Sequence, residues 1–194
     1  MTENLQPVIV QFEKYLAAKH NEKPRLINYA GGEAQHRLHQ LDWLCRRIGK
    51  LEAKAVELIH EITSEDGPSD GYVKDNPAML ESRANSFEME TMVEAFYYFA
   101  FRLRQVIRQL PELSDFECEG VRNVRNKLLE HPEGRDSGVI HGAFGYGDTE
   151  TGPVLKMLRF PLKNTLWQDA GLWVNTKELA QNLTKKINAT LGES

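Results

Sequence analysis

The polar side chains best suited to phosphate chemistry are concentrated in residues 120–134. Arg125 offers a planar, permanently charged guanidinium that binds phosphate oxygens in pairs. The next residue, Asn126, adds an amide, and His131 adds an imidazole whose ordinary pKa is about 6.5. An imidazole that titrates near neutral pH can move protons in acid–base catalysis. If these three side chains converge, they form a site for one phosphate group.

A short helix is predicted to carry these residues. Its apolar residues recur at spacings of three and four: Val121, Val124 and Leu128. Pro132 disfavours helical geometry at His131, so we expect the helix to end at or just before the histidine. On a continuous helix, residues six apart lie about 240° apart around the axis. The last turn must therefore unwind for His131 to approach Arg125 and the neighbouring amide.

Two further arginines are candidates for binding the substrate. Arg122 lies on the adjoining face of the same predicted helix, and it would replace Arg125 as the phosphate ligand if the helix were rotated differently. Arg102 shares one side of the preceding long helix with Glu94 and Tyr98, where the three would support the Arg125 site or guide a phosphate chain. The alternative is that the charges of this helix only complement its dipole.

The segment from Arg125 to His131 resembles the signature of the HEPN superfamily, an arginine followed after four to six residues by a histidine, with Asn often directly after the Arg. The resemblance covers this motif and, more loosely, the two long helices before it. It implies a small α-helical bundle, usually a homodimer. Many members are metal-independent endoribonucleases of prokaryotic toxin or phage-defence systems, and others are non-catalytic binding modules.

As an enzyme of this kind, the protein would cleave RNA through attack of a 2′-hydroxyl on the adjacent phosphate, leaving a cyclic phosphate and a free 5′-hydroxyl. The resemblance implies that His131 acts as general base or acid, that Arg125 holds the phosphate and that Asn126 orients the phosphate or the histidine. In the family the site is commonly built from both protomers. A toxin of this kind would also have an antitoxin or another partner protein.

The residues leave a second reading open, a non-catalytic helical protein that dimerises, binds other proteins or binds a small ligand. In that reading Arg125 pairs with Glu130 or another acid. His131 would then satisfy the backbone carbonyls left open at the end of its helix. The sequence alone does not choose between an enzyme and an interaction protein.

Composition limits the classes of function. The 194 residues carry a formal net charge of −4, which argues against a protein that coats nucleic acid with a broad basic surface. The N-terminus has no signal-peptide pattern and no apolar run has the length of a membrane span, so we expect a cytoplasmic protein without membrane contact. Cys45 and Cys118 are expected to stay reduced. The glycine-rich stretch 142–147 lacks the Lys-Ser/Thr of a phosphate-binding loop, and we expect neither a metal nor a cofactor.

Apolar periodicity predicts a mainly α fold, a helical bundle of four to five helices with a small C-terminal β-hairpin. The predicted helices are 7–20, 33–62, 86–110, the short motif helix, and a final helix from Asn175 or Thr176. Two strands, 139–146 and 154–160, are predicted to form the hairpin. Residues 1–133 would be a helical bundle that carries the motif, and 134–194 would pack on the same domain.

Proline and glycine mark the predicted connections. Pro24 and the Gly31-Gly32 pair predict a connection over 21–32. Three turn signals in succession predict a long loop over 63–85, which is a candidate lid. A helix over 33–62 would be about 45 Å long. We therefore expect it either to kink near Gly49 or to pack partly in a dimer.

Overall fold

The computed structural model describes the backbone of residues 5–63, 77–119, 121–122, 139–149, 152–161 and 172–192. Helix α1 spans Gln6–Lys19, and a short α2, Pro24–Leu26, runs through one π-helical turn, Ile27–Gly31, into α3, Gly32–Thr63. Helix α4 spans Pro77–Ile107 and is followed by a 3₁₀ turn, Pro111–Leu113. Strands β1, Val139–Thr149, and β2, Gly152–Pro161, precede α5, Leu172–Leu191.

The main core lies between α1, the first half of α3, the second half of α4 and α5. Each helix contributes the apolar face that its three- and four-residue spacing predicts. Its largest fully buried side chains include Phe12, Tyr15, Leu38, Leu41, Ile48, Phe96, Tyr97 and Phe116. The predicted apolar face of the last helix is confirmed: Leu179, Leu183 and Ile187 are fully buried, and Leu191 packs against the same core.

Beyond the main core, α3 and α4 continue together as an antiparallel pair, residues 51–63 and 77–89, which we call the α3–α4 arm. Lys54 Nζ lies 3.1 Å from the Glu81 carboxylate across this pair. The buried Asn85 donates its side-chain amide to the Leu51 carbonyl at 3.0 Å. Helix α3 runs unbroken through Gly49. Its length is therefore accommodated along α4.

Two predicted connections are wrong, because the prolines that were interpreted as turn signals stand at the starts of helices. Pro24 and Pro77 each occupy the first helical position, where the missing N–H costs no hydrogen bond and the fixed φ suits the helix. Residues 24–31 are consequently helical and join α3. Residues 77–85 belong to α4, and residues 64–76 of the predicted loop lie outside the described part of the chain.

The predicted fold class is corrected in its β component. The fold is mainly helical, and no strand occurs among the residues whose side chains the structure describes. The backbones of β1 and β2 run antiparallel, with Thr149 opposite Gly152. A lone two-stranded ribbon is marginal without a further strand or a packed face. The correction concerns the C-terminal β-hairpin alone, and the mainly α class is confirmed.

Two observations bear on the environment of the protein. Within the described ranges, no helix is both long enough and apolar enough to cross a lipid bilayer. Cys45 and Cys118 are free and buried. Burial raises the pKa of both thiols to about 12, so neither is a reactive thiolate at neutral pH.

Candidate functional site

The described part of the predicted site is the first turn of the motif helix. Residues 119, 121 and 122 are helical, and the Arg122 N–H donates to the Cys118 carbonyl at 3.1 Å. Val121 is fully buried and Arg122 is exposed, as the apolar spacing of this segment predicts. The other predicted site residues, Arg125, Asn126 and His131, lie outside the described residues.

The segment that leads from α4 to this turn is tied to α1 and α5. The Tyr15 hydroxyl donates to the Glu112 carboxylate at 3.2 Å, and Lys23 donates to the same group at 3.1 Å. From α5, the Asn182 amide donates to the Glu117 carbonyl at 3.1 Å. Phe116 is fully buried between these anchors along the chain. The start of the motif helix is therefore fixed by contacts with two other helices.

Two arginines bind one carboxylate at this position, and the charge of a third, Arg122, also acts on it; we call Arg104, Arg108, Arg122 and Glu117 the arginine cluster. Arg104 donates to both Glu117 oxygens, from Nε at 2.8 Å and from Nη2 at 2.6 Å. Arg108 Nη1 contacts the same carboxylate. The hydrogen bond from Arg104 and the charges of Arg104, Arg108 and Arg122 lower the pKa of Glu117. Asp115, whose pKa Lys186 and also Arg108 lower, pairs with Lys186, so four cations and two anions meet here and two positive charges remain in excess.

Arg102 is not part of this cluster. Its guanidinium is exposed and donates from Nη1 to Gln105 at 2.9 Å. Residues two apart lie about 200° apart around a helix, so Arg102 and Arg104 point to different sides of α4. The structure thus places the predicted Arg122 near Arg104 and Arg108, and it records no contact of Arg102 with any of them.

The sequence allows a local basic site in which Arg102, Arg104 and Arg108 join Arg122 and Arg125, but sequence reasoning did not identify Arg104 and Arg108 as the pair beside the motif helix. A signal was present, because the two are four apart on α4 and therefore share a face. Glu117, which joins them to the motif helix, follows in the next segment of the chain. In the sequence, the acids Glu112, Asp115, Glu117 and Glu119 between the two helices only dilute the basic charge, and nothing singles out Glu117 as the residue that binds Arg104 and Arg108.

The arginine cluster is suited to binding an anion. Guanidinium groups bind phosphate with paired, charge-assisted hydrogen bonds. The Glu117 carboxylate pairs with Arg104 and Arg108 and holds both side chains in place. The cluster contains no group that exchanges protons near neutral pH, because the depressed pKa of Glu117 keeps it ionised. The described residues therefore offer cations to a phosphate group but no group for proton transfer, which would have to come from the motif itself.

Known proteins do not decide between the two readings. No family model, curated protein or solved structure was found to match this chain. The HEPN resemblance therefore rests on the motif residues and their helical context.

Proposed function

We propose that the chain is a cytoplasmic, HEPN-like, metal-independent endoribonuclease of a prokaryotic toxin or defence system. Its substrate is RNA, and its catalytic groups are Arg125, Asn126 and His131. The substrate's phosphates are also bound by Arg122. Arg102 is exposed on another side of α4, and in this proposal it contacts more distant parts of the RNA strand.

In the proposed reaction, His131 takes the proton of an RNA 2′-hydroxyl, and the oxygen attacks the adjacent phosphorus. The bond to the 5′-oxygen breaks, which leaves a 2′,3′-cyclic phosphate and, after proton donation, a free 5′-hydroxyl. Negative charge grows on the equatorial phosphate oxygens, where the Arg125 guanidinium offsets it. Asn126 orients the phosphate or the imidazole. The His131 imidazolium then returns the proton it took from the 2′-hydroxyl to the departing 5′-oxygen, so the step balances without a metal ion.

One observation carries the proposal: the motif helix begins with Val121 buried and with Arg122 exposed as a member of the arginine cluster. On the helical repeat predicted from the sequence, Arg125 and Asn126 follow Arg122 by three and four residues and share its face. The polar residues of the motif would then extend an existing patch of excess positive charge. A phosphate bound to the motif would gain attraction from Arg104 and Arg108.

A homodimer is part of the proposal because motifs from both protomers commonly build the site in the family. The α3–α4 arm offers a surface for self-association or for an antitoxin. Leu80 and Phe87 are seven apart, hence on one face of α4, and they are 52% and 73% exposed. Exposed large apolar side chains of this kind favour protein contacts.

The same apolar face favours the alternative function, a non-catalytic protein that dimerises, binds partner proteins or binds a small ligand. In this alternative the arginine cluster is structural, because Glu117 already pairs with Arg104 and Arg108. Arg125 would pair in the same manner with a neighbouring acid. The discriminating property is therefore RNA cleavage, since dimer formation is common to both functions.

The test is cleavage of a mixed single-stranded RNA in EDTA by wild-type protein and by His131→Ala. His60→Ala is the matched control, because His60 is exposed on the α3–α4 arm. All proteins are compared at equal dimer content, measured by size-exclusion chromatography with light scattering. The proposal expects cleavage by wild type and His60→Ala and at least about a hundredfold loss in His131→Ala. Cleavage by neither wild type nor control, with RNAs of several sequences, would favour the alternative.

A further inference from the structure

A second basic surface lies on α3, away from the motif helix. Trp43, Arg46, Arg47 and Lys50 line a cleft of about 420 Å³. Their spacing of three, four and seven residues places all four on one face of the helix. Trp43 is 55% exposed, which is unusual for the largest apolar side chain, since Trp is mostly buried on average.

Two of the cations in this cleft, Arg46 and Arg47, are each held in place by a carboxylate. The Asp42 carboxylate, itself buried, lies 2.8 Å from Arg46 Nη2. Arg47 reaches across to α4 and donates from Nε to Glu88 at 2.7 Å. A guanidinium has five N–H donors, so these contacts leave donors on both arginines for a ligand. Side chains fixed in this way lose little entropy when an anion binds.

Lys50 gives the cleft its excess positive charge. The cations number three, and Asp42 and Glu88 neutralise two of them. Lys50 is exposed, and no carboxylate among the described residues pairs with it. The protein as a whole is acidic, with a net charge of −4. A polyanion would therefore bind at local patches such as this one and not over the whole surface.

We propose that this cleft binds single-stranded nucleic acid, with a base stacked on Trp43 and phosphates held by Arg46, Arg47 and Lys50. Alternation of an aromatic face with cations is the arrangement by which proteins bind unpaired strands, because every base has a π-face and every nucleotide a phosphate. Paired bases are stacked on each other and are closed to an indole. The four residues span about 10 Å along α3, so the cleft takes a short stretch of strand.

This inference goes beyond the proposed cleavage and does not depend on it. An acidic peptide would use the three cations but would leave the exposed indole without a partner. A protein with an apolar surface would use the indole but would bury the charge of Lys50. Among these ligands, a nucleotide chain alone satisfies both kinds of group. The cleft would hold the strand whether or not His131 cleaves it.

The experiment measures binding of a fluorescein-labelled oligouridine to the full-length chain by anisotropy, in EDTA. It uses His131→Ala as the background, so that cleavage does not consume the probe and a failure of the proposed catalysis cannot affect the result. Trp43→Ala is expected to weaken binding at least about fivefold, the lower end of base–aromatic stacking. Trp43→Phe keeps an aromatic face and should retain most of the affinity.

Charge is tested with Lys50→Ala, which leaves the ion pairs of Arg46 and Arg47 intact. It should weaken binding and reduce the slope of log K against log salt by about 0.7. The matched controls are Tyr29→Ala, an exposed aromatic outside the cleft, and Lys14→Ala, an exposed lysine of α1. Neither should change the affinity by more than about twofold.

Three results would overturn the proposal. The first is no binding of oligouridine by the parent protein at low salt. The second is the same affinity for oligouridine in the parent, Trp43→Ala and Lys50→Ala. An equal loss of affinity in Lys50→Ala and Lys14→Ala would count against the cleft in the same way, because the attraction would then be unspecific. The third is competition by polyglutamate as strong as by unlabelled oligouridine, which would assign the cleft to acidic peptides.

Discussion

Asp42 on α3 anchors the start of α1, and its removal is the sharpest test of how the helices are held together. Its carboxylate is fully buried and accepts the Leu5 N–H at 3.2 Å and the Gln6 side-chain amide at 2.7 Å. Arg46 lies 2.8 Å from the same group. Asp42 thus satisfies, from another helix, a backbone donor that a capping-box glutamate would satisfy within the helix.

Asp42→Ala is expected to lower the free energy of unfolding by about 2–4 kcal/mol. Hydrogen bonds to a charged group contribute about 1.5–3 kcal/mol each, and their contributions overlap when one group accepts both. Arg46 is 64% exposed, so its ion pair adds only about 0–1 kcal/mol. Asp42→Asn keeps an acceptor oxygen for Leu5, and we expect about half the loss.

The assay is urea unfolding at pH 7, followed by circular dichroism, with an unchanged m-value required for the comparison. Glu33→Ala is the control, because Glu33 is a half-buried acid of α3 that pairs only with Arg37 on the same helix among the ion pairs of the described residues. Its loss should change stability by less than about 0.5 kcal/mol. If Asp42→Ala unfolds at the same urea concentration as Glu33→Ala, the anchoring role of the buried carboxylate is refuted.

Two further predictions concern the arginine cluster and the approach of α1 to the π-helical turn. Because the pKa of Glu117 is lowered, its stabilising effect is present above the ordinary glutamate pKa and is lost as the pH falls through the folded-state pKa. In Arg104→Gln, NMR titration should show a higher pKa for Glu117, and the stability difference from wild type should shrink below about pH 4; an unchanged pKa would contradict the contact. A Cβ at Gly31 would lie 2.5 Å from Leu16 Cδ2, whereas one at Gly32 meets nothing within 4 Å. Gly31→Ala should therefore lower the free energy of unfolding by about 1 kcal/mol, and Gly32→Ala should raise it by about 0.4–1 kcal/mol. If both substitutions shift the melting temperature in the same direction, the difference in packing is disproved.

The long helices were predictable because their signal is local. The apolar residues of α3 from Leu41 to Leu58 recur at spacings of three and four, and Leu41, Ile48 and Leu58 are all buried. The start of α4 was not predictable from turn signals, because Asn-Pro suits both a turn and a helix start. Asn85, an unfavourable residue inside a helix, is explained only by its bond to Leu51 on another helix.

The surroundings of the candidate site depend on contacts between distant residues. Asp42 and Gln6 are 36 positions apart, and Arg104 and Glu117 are 13 apart, so no short window of sequence contains either pair. The motif of Arg125, Asn126 and His131 stays a prediction from residue types, whereas the first helical turn before it has the predicted buried residue, Val121. The path of the chain after Ile107 decides which arginines of α4 lie beside the motif helix. Tertiary contacts fix that path.

Cleavage of single-stranded RNA in EDTA by wild type, His131→Ala and Arg125→Ala tests the proposed function most directly. Of these three proteins, only the wild type is expected to cleave, with products that end in a 2′,3′-cyclic phosphate and begin with a 5′-hydroxyl. His60→Ala should cleave as the wild type does. Equal cleavage by wild type and His131→Ala would contradict the account, because the reaction would then proceed without the histidine of the motif.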